Sequence, residues 1–257
     1  MKKLLKVALA AVMAVSVFGV STSTTMAKSK KKEVITVGIS PDYKPYESLN
    51  KKNKMVGFDI DMVAWFEDYL SEEQGKTVDF KFKQMDFDNI ITQIQGDQID
   101  LGISGFTYSE DRKVEWSNPY LGSSEVAIVP TGSSIASLDD LEGKTLVAQT
   151  GTTGEEAAKE VKDADVTGLK NVQDIMNALS ANQYDAAIVD AGVANEYATS
   201  GQYTVLDGTL KDEKNYIIAK EGNTEMIEKI NKAIDAFVQS DKYQELCEKY
   251  SLTAISE

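Results

Sequence analysis

A guanidinium, a carboxylate and a threonine-rich turn occupy positions in this sequence where they could together hold a small zwitterion. Arg112 follows the polar stretch 104–107, and a guanidinium fork grips a carboxylate through two parallel hydrogen bonds. Asp190 follows an apolar run and could accept an ammonium. The turn 149–154 precedes a predicted helix, whose first backbone N–H groups suit an anion. The polar residues of this turn are Gln149, Thr152 and Thr153.

Each of these features also has an ordinary structural interpretation. Arg112 could form a surface ion pair with a neighbouring acid, and Asp190 could act as a cap or turn residue. The threonine–glycine run could be a simple strand-to-helix turn. Two rings that would suit a ligand, Tyr43 and Phe87, could be packed in the core. Taken jointly, they form one coherent amino-acid pocket. The acids near Arg112 are Glu110, Asp111 and Glu115.

Composition removes several classes of function. The 257 residues include no histidine and one cysteine, Cys247, which excludes histidine-based nucleophilic relays, imidazole metal sites, thiolate zinc cages and internal disulfides. With 27 basic against 41 acidic residues the formal net charge is −14, and nucleic acid is therefore an unfavourable partner. We expect no metal and no cofactor.

The first 27 residues are typical of a cleaved export signal. Lysines precede the apolar run Leu4–Val20, and Thr25–Ala27 places small residues before a cut after Ala27; a retained membrane anchor is the alternative. The cleavage point lacks a cysteine, so no lipid anchor is expected there. The lysine-rich residues 28–33 are interpreted as a solvated tether.

The remaining 230 residues alternate short apolar runs with helical periodicity, which predicts an α/β fold with a largely parallel sheet and two lobes. Asp59 and Thr224 are the predicted caps of two amphipathic helices, and a third helix begins near Glu155. Trp65 and Phe66, on the first of these, are expected in the core. The predicted strands are Val34–Ile39, Val78–Phe82, Leu101–Ile103, Val126–Val129, Thr145–Ala148, Ala186–Val189 and Tyr216–Ala219.

Two segments, 94–103 and 179–188, resemble each other: in both, a helix end passes through Gln and Asp into a short strand. They are interpreted as matching positions in the two lobes. Ligands of open α/β sheets bind beyond the carboxyl ends of strands. This rule places Asp190 on one side of a shared cleft. Ser104, Gly105 and Thr107 lie on the other.

The sequence resembles family 3 of the extracytoplasmic solute-binding proteins of ABC importers, the polar amino acid type. Six segments carry the resemblance in order: "VGISPDYKPYE", "MVGFDIDM", "MDFDNIITQIQGDQIDLGISGFTYSEDR", "GKTLVAQTGTT", "YDAAIVD" and "NYIIAKEGNTEMIEKINKAI". The resemblance implies a two-lobed periplasmic-binding-protein-like fold of type II, with crossing strands near Glu125–Val129 and Tyr216–Lys220. Lobe 1 would comprise 34–125 plus 220–257, and lobe 2 would comprise 126–219.

Carried onto this chain, the resemblance implies that Arg112 clamps the α-carboxylate of the ligand. Asp190 would take the α-ammonium, with the Gly105 carbonyl and the Thr107 hydroxyl as further acceptors. The residues that would help Arg112 are Gly105, Thr107 and either Thr152 or Thr153.

The side-chain specificity stays open at this point. Tyr43 and Phe87 would sandwich the ligand side chain, and Gln149 could bind an amide or hydroxyl. Binders of basic amino acids or glutamine in this family often carry an acid where this chain has Ser40, and glutamine-specific members carry a polar residue where it has Val189. Acids that could compensate are Asp42 and Glu47.

The expected function is capture of a polar amino acid by cleft closure and delivery to an ABC permease, by a monomeric extracytoplasmic protein. Two alternatives remain: an enzyme similar to cyclohexadienyl dehydratases, with carboxylates as acid and base, and a ligand domain that feeds a membrane sensor.

Overall fold

The computed structural model describes residues 32–255, which contain seven α-helices and twelve β-strands. The predicted signal and most of the predicted tether lie outside these residues. None of the described helices is long and apolar enough to cross a bilayer. The helices are α1 Phe58–Gln74, α2 Phe87–Gln95, α3 Thr153–Glu160, α4 Val172–Ser180, α5 Ala191–Ala198, α6 Thr224–Val238 and α7 Asp241–Tyr250.

The strands are of very unequal length. The longest, β7, has 17 residues and the shortest two. The strands are β1 Lys32–Ile39, β2 Asp42–Tyr43, β3 Glu47–Leu49, β4 Met55–Val56, β5 Thr77–Gln84, β6 Leu101–Thr107, β7 Val114–Pro130, β8 Thr145–Gln149, β9 Asp165–Leu169, β10 Ala186–Asp190, β11 Tyr203–Val205 and β12 Lys211–Lys220.

One mixed sheet runs through the fold in the order β5-β1-β6-β12-β7-β10-β8-β9, with β11 beside β7. The groups β5-β1-β6 and β10-β8-β9 are parallel, as βα alternation predicts. The prediction of a largely parallel sheet is wrong for the middle, because β12 lies antiparallel to β6 and β7, and β10 lies antiparallel to β7. A separate hairpin sheet is formed by β2, β3 and β4.

The fold is α/β and two-lobed, as expected. Helices α1 and α2 cover the β5-β1-β6 group, α6 packs on α1 and β7, and α7 packs on α1 and α6; we call this assembly the first lobe. Helices α3, α4 and α5 cover the β10-β8-β9 group, the second lobe. The long strands β7 and β12 pass between them, paired from Lys220↔Val114 in the first lobe to Lys211↔Glu125 in the second. The lobe boundaries drawn from the sequence stay a prediction.

The core of the first lobe is rich in aromatic rings that meet around Phe237. Phe58, Trp65, Phe66 and Tyr243 all lie within 6.2 Å of it, centroid to centroid. The core position predicted for Trp65 and Phe66 is confirmed, with Phe66 fully buried and Trp65 packed against the cluster.

The lone cysteine is packed in the same core. Cys247 is buried in the first lobe. Burial raises the pKa of its thiol, which keeps it in the unreactive protonated form.

Both predicted helix caps are wrong by one or two residues. Helix α1 begins after Gly57, and Asp59 lies in its first turn with a fully buried side chain. Helix α6 is capped by Asn223, whose side chain accepts from the N–H of Met226 at 3.4 Å, while Thr224 is the first helical residue. Asp59 has a cap residue's chemistry, but its carboxyl is turned into the core.

The two similar segments are structural equivalents. In each, a residue with φ near 55°, Asp97 or Asn182, follows the helix. Asp100 then accepts from the N–H and hydroxyl of Thr36, both at 2.7 Å, and Asp185 accepts from the same two groups of Thr145, both at 2.8 Å. Each aspartate thus ties a helix end to the start of the neighbouring strand, which confirms the matching positions in the two lobes.

The last described residues reach across the junction between the lobes. The N–H of Gly122 on β7 donates to the carbonyl of Thr253 at 2.9 Å, and the N–H of Ile255 donates to the hydroxyl of Tyr243 at 2.8 Å. Leu252 packs closely against Gly192 of α5 in the second lobe. The C-terminal segment 251–255 therefore contacts both lobes and a crossing strand.

Candidate ligand-binding site

A small cavity of about 10 Å³ lies between the lobes and is lined by all ten residues predicted for the site. It has room for about one water molecule, so an amino acid would enter only when the lobes move apart. Two further residues line it, Ser40 and Glu125. The first lobe supplies Tyr43, Phe87, Ser104, Gly105, Thr107 and Arg112, and the second supplies Gln149, Thr152, Thr153 and Asp190.

Arg112 is held in place by carbonyls and rings. Its Nη1 donates to the carbonyl of Thr107 at 2.5 Å and its Nη2 to that of Gly151 in the second lobe at 2.8 Å. The guanidinium carbon lies 5.8 and 5.6 Å from the ring centroids of Phe87 and Phe106, within cation–π range. Within the described residues these hydrogen bonds replace the surface ion pair that was the alternative.

The guanidinium stays charged in this setting. Burial lowers its pKa while nearby carboxylates, Glu156 first, raise it, and an arginine remains protonated in proteins.

The two threonines at the start of helix α3, Thr152 and Thr153, have different hydrogen-bond partners. The hydroxyl of Thr152 accepts from the N–H of Glu155 at 3.2 Å, which is the ordinary capping role. The hydroxyl of Thr153 instead lies 2.6 Å from that of Thr107 in the first lobe and donates to Glu125 at 3.0 Å. The direct contact of Thr107 with Thr153 means that the lobes are closed on each other here.

Asp190 occupies the N-cap position of α5 without capping it. Its Oδ1 accepts from the hydroxyls of Tyr46, at 2.9 Å, and Ser123. Burial raises the pKa of this carboxyl to about 6. Because a buried carboxylate is costly without a charged partner, this group favours an incoming cation.

The aromatic residues of the site are both packed and exposed to the cavity. Tyr43 is stacked on Tyr46 at 5.6 Å and Phe87 on Phe106 at 4.6 Å. Gly105 has a φ of 60°, and its backbone lies against the Tyr43 ring. A Cβ at this position would lie 3.4 Å from Cε1 of Tyr43.

The two predicted acceptors other than Asp190 already have partners in this structure. The carbonyl of Gly105 accepts from the side-chain amide of Asn215 at 3.1 Å. The hydroxyl of Thr107 is engaged by Thr153.

Asp42 joins the lobes just outside the cavity. Its Oδ2 accepts from the N–H of Val172 at 2.8 Å and from Nε2 of Gln149 at 3.3 Å, both in the second lobe. Its Oδ1 accepts from the hydroxyl of Ser40 at 2.7 Å. Asp42 therefore caps helix α4 from across the cleft and does not line the cavity, and Gln149, which also donates to the carbonyl of Lys170 at 2.9 Å, is part of this latch.

Beneath the cavity floor lies a pair of buried acids, Glu47 and Asp59. They are hydrogen-bonded to each other, and one oxygen of each has no other partner. The remaining oxygens accept from Ser104 at 2.6 Å and Tyr120 at 3.2 Å. Burial raises the pKa of both, that of Asp59 to about 7, so the pair holds a proton. Glu47 thus supports Ser104 and does not face the ligand.

The fold agrees with the comparisons to known proteins. The chain matches the family described as "Bacterial extracellular solute-binding proteins, family 3" over residues 35–253. It belongs to this family. It is similar to the arginine-binding extracellular protein ArtP of Bacillus subtilis (strain 168), with 30% identity over 97% of this chain and 98% of the relative.

Solved structures give the same assignment. The substrate-binding protein of an amino acid ABC transporter is 31% identical with a TM-score of 0.77, covering 84% of this chain and 98% of that one. An ancestral arginine-binding protein, 32% identical, was solved with arginine and with glutamine. Its TM-scores are 0.76 and 0.75, covering 84% and 86% of this chain and 97% and 98% of the other.

Replacing Asp42 by asparagine should weaken closure of this solute-binding protein. The asparagine carbonyl can still accept from the Val172 N–H and Gln149, with its amide nitrogen towards the Ser40 hydroxyl, but the negative charge that strengthens this contact between the lobes is lost. We expect ligand affinity to fall about tenfold with little change in unfolding temperature, measured by calorimetry and thermal melting. Asp86→Asn is the control, because its exposed pair with Lys170, at 3.6 Å, is worth under about 1 kcal/mol. Equal affinity losses in both variants would contradict the latch.

The Glu47–Asp59 pair makes stability fall as pH rises. The folded protein keeps a proton that the unfolded chain releases above about pH 4, so this stabilisation is complete below about pH 4 and is lost as the pH rises through the folded-state pKa, about 7 for Asp59. We expect Glu47→Gln, which donates permanently to Asp59, to flatten the decline in the free energy of unfolding between pH 5 and pH 8, measured by urea titration. The exposed Glu110→Gln should leave the slope unchanged, and an unaltered slope in Glu47→Gln would refute the shared proton.

Proposed function

We propose that this protein is an extracytoplasmic receptor that captures a polar α-amino acid between its lobes and delivers it to the permease of an ABC importer. The observation that carries the proposal is the cavity, in which a half-buried guanidinium from one lobe and a buried carboxyl from the other accompany two rings. A zwitterion matches the two opposite charges of this arrangement, and the rings suit an amino-acid side chain.

In this proposal Arg112 and the start of helix α3 bind the α-carboxylate, and Asp190 binds the α-ammonium. Arg112 exchanges its carbonyl partners for the ligand carboxylate, a stronger acceptor. Each charged hydrogen bond is worth about 1.5 to 3 kcal/mol, so three or four reach the roughly 8 kcal/mol of a micromolar complex. Since both lobes contribute, only the closed form makes all contacts, and the ligand shifts the population towards it.

The relatives support the transport role. One is named an arginine-binding extracellular protein, another the substrate-binding protein of an amino acid ABC transporter, and a third was solved with arginine and with glutamine. The family description supports an extracytoplasmic location. We further propose that the receptor works as a monomer, because one chain supplies every residue of the cavity.

A thermal-shift screen of the twenty amino acids with ornithine and cystine tests the proposal. We expect one amino acid, or a small related group, to raise the melting temperature by several degrees and to be recovered chemically unchanged. A receptor that feeds an importer should also stimulate ATP hydrolysis by its reconstituted permease and ATPase only when loaded. No stabilisation by any amino acid would overturn the proposal.

A second candidate is an enzyme of the same fold, similar to cyclohexadienyl dehydratases. The observation that favours it is Glu125, a cavity acid whose pKa is raised well above its ordinary range, first by burial, since such a group suits general acid catalysis. Incubation with prephenate or arogenate decides: a new product indicates the enzyme, and unchanged recovery indicates the receptor.

A further inference from the structure

We propose, on the basis of the proposed function, that Glu125 is a second ligand-binding carboxyl of the ammonium subsite, and that it gives up a proton when the amino acid binds. Its unpartnered oxygen would accept a hydrogen bond from the ligand ammonium beside Asp190. The ligand class is thus one with a free cationic amino group, held between two acids.

The position of Glu125 supports direct contact. Its side chain is 2% exposed, and it lines the cavity. Oε1 accepts from the hydroxyl of Thr153 at 3.0 Å, whereas Oε2 is buried and has no hydrogen-bond partner within the described residues. An unsatisfied buried carboxyl oxygen is costly, and a ligand N–H group would remove that cost.

Asp190 lies beside Glu125 by strand register. The antiparallel pairing of β10 with β7 sets Asp190 opposite Glu125, so the two carboxyls project from adjacent strands at the junction of the lobes. The Oδ1 of Asp190 is already used by Tyr46 and Ser123. Two acceptors on adjacent strands can share one ammonium, which has three protons to donate.

Glycine at position 154 leaves room for the Glu125 carboxyl. A Cβ built there would lie 2.8 Å from its Oε2 and 3.1 Å from the carbonyl of Ile188. The acid therefore fits over the first turn of helix α3 only because this residue has no side chain. The carboxyl is held in a fixed position at the cavity wall.

Burial and the neighbouring acids favour the protonated form of Glu125. Burial raises its pKa most, followed by Asp190 and then Glu213, while the Thr153 hydroxyl and Lys211 lower it. Tyr43 and Arg112 also lie near its carboxyl. An ammonium entering this set adds a positive charge that stabilises the carboxylate, so the proton leaves and affinity rises with pH.

The other acids near the cleft already have hydrogen-bond or ion-pair partners outside the cavity. Asp42 latches α4, and Glu47 shares its proton with Asp59. Glu213 forms an ion pair with Lys211 at 2.8 Å and shares the single Thr153 hydroxyl proton with Glu125, at 2.7 Å against 3.0 Å, but it does not line the cavity. It is therefore a matched control for Glu125, because it has the same chemistry and the same threonine partner but no surface on the ligand.

The test is calorimetry at pH 8 in phosphate and in Tris, which differ in ionisation enthalpy, with the amino acid that gives the largest thermal shift. At this pH Asp190, with its pKa near 6, is already ionised. For the wild type we expect buffer-dependent enthalpies that correspond to net proton release. Glu125→Gln should abolish that release and weaken binding about tenfold. Glu213→Gln should retain the release and most of the affinity.

Several outcomes would overturn the inference. Equal enthalpies in the two buffers for the wild type, unchanged proton release in Glu125→Gln, or equal losses in both variants would each exclude Glu125 as the responsible group. The wild-type measurement stands even if a variant fails to fold. Tight binding without proton release refutes this inference alone, whereas no binding of any amino acid overturns the proposed function and the inference with it.

Discussion

Arg112→Ala should lower amino-acid affinity by a factor of about a hundred or more while the fold persists. The substitution removes both hydrogen bonds of the guanidinium fork to the ligand carboxylate, each worth about 1.5 to 3 kcal/mol. In this structure the side chain bonds to carbonyls and lies over two rings, so its loss leaves the sheet and helices in place. Calorimetric titration gives the affinity, and far-UV circular dichroism reports the fold.

Two further variants separate the effect of the paired guanidinium donors from the effect of positive charge alone. Arg112→Lys keeps the charge but not the paired donors and should recover only part of the affinity. The adjacent, exposed Lys113→Ala removes one positive charge from the same loop and should bind normally. Wild-type affinity in Arg112→Ala would exclude the carboxylate clamp.

The largest expected effect on stability is that of Gly57→Ala at the start of α1. Gly57 has φ of 141° and ψ of 178°, a region open essentially to glycine alone. A Cβ there would lie 2.1 Å from the carbonyl oxygen of Tyr46, and backbone cannot turn aside as a side chain can. We expect a loss of about 3 kcal/mol or more in the free energy of unfolding, measured by urea denaturation.

Gly75 at the other end of the same helix is the matched control. Its φ is 60°, and nothing lies within 4 Å of a built Cβ, so Gly75→Ala bears only the left-handed backbone cost of about 1 kcal/mol. Similar losses in the two variants would show that strain at Gly57 comes from its dihedral angles and not from the Tyr46 carbonyl.

The ten residues predicted for the site lie around one cavity because most of them follow strand ends. Arg112, Asp190 and Thr153 stand just after or at the end of runs whose apolar pattern is unmistakable, and parallel strands bring such ends together. Glu125 was missed because it precedes the apolar stretch 126–129 within a longer strand, so it looked like a boundary residue. The signal that could have identified Glu125 is that it is a single acid directly before the fully apolar stretch 126–129.

Strands without a strong apolar pattern could not be found from sequence. The first half of β7, which includes Trp116 and Pro119, alternates partly exposed residues, and it is fixed by pairing with β12. The hairpin of β2, β3 and β4 is short and contains the lysine-rich turn 51–54. Its position depends on backbone contacts, such as the N–H of Phe58 to the carbonyl of Pro45 at 3.0 Å, which no local pattern encodes.

The contacts of the C-terminal segment 251–255 matter for fluorescent sensors and tagged versions of this protein. The segment bonds to Gly122 on a crossing strand and packs against Gly192 of the second lobe, so separation of the lobes would break at least one of its contacts. A fluorescent dye placed on this segment would register opening directly. An affinity tag fused after this segment would disturb the same contacts. Binding constants measured with such a tag would therefore include the effect of the tag.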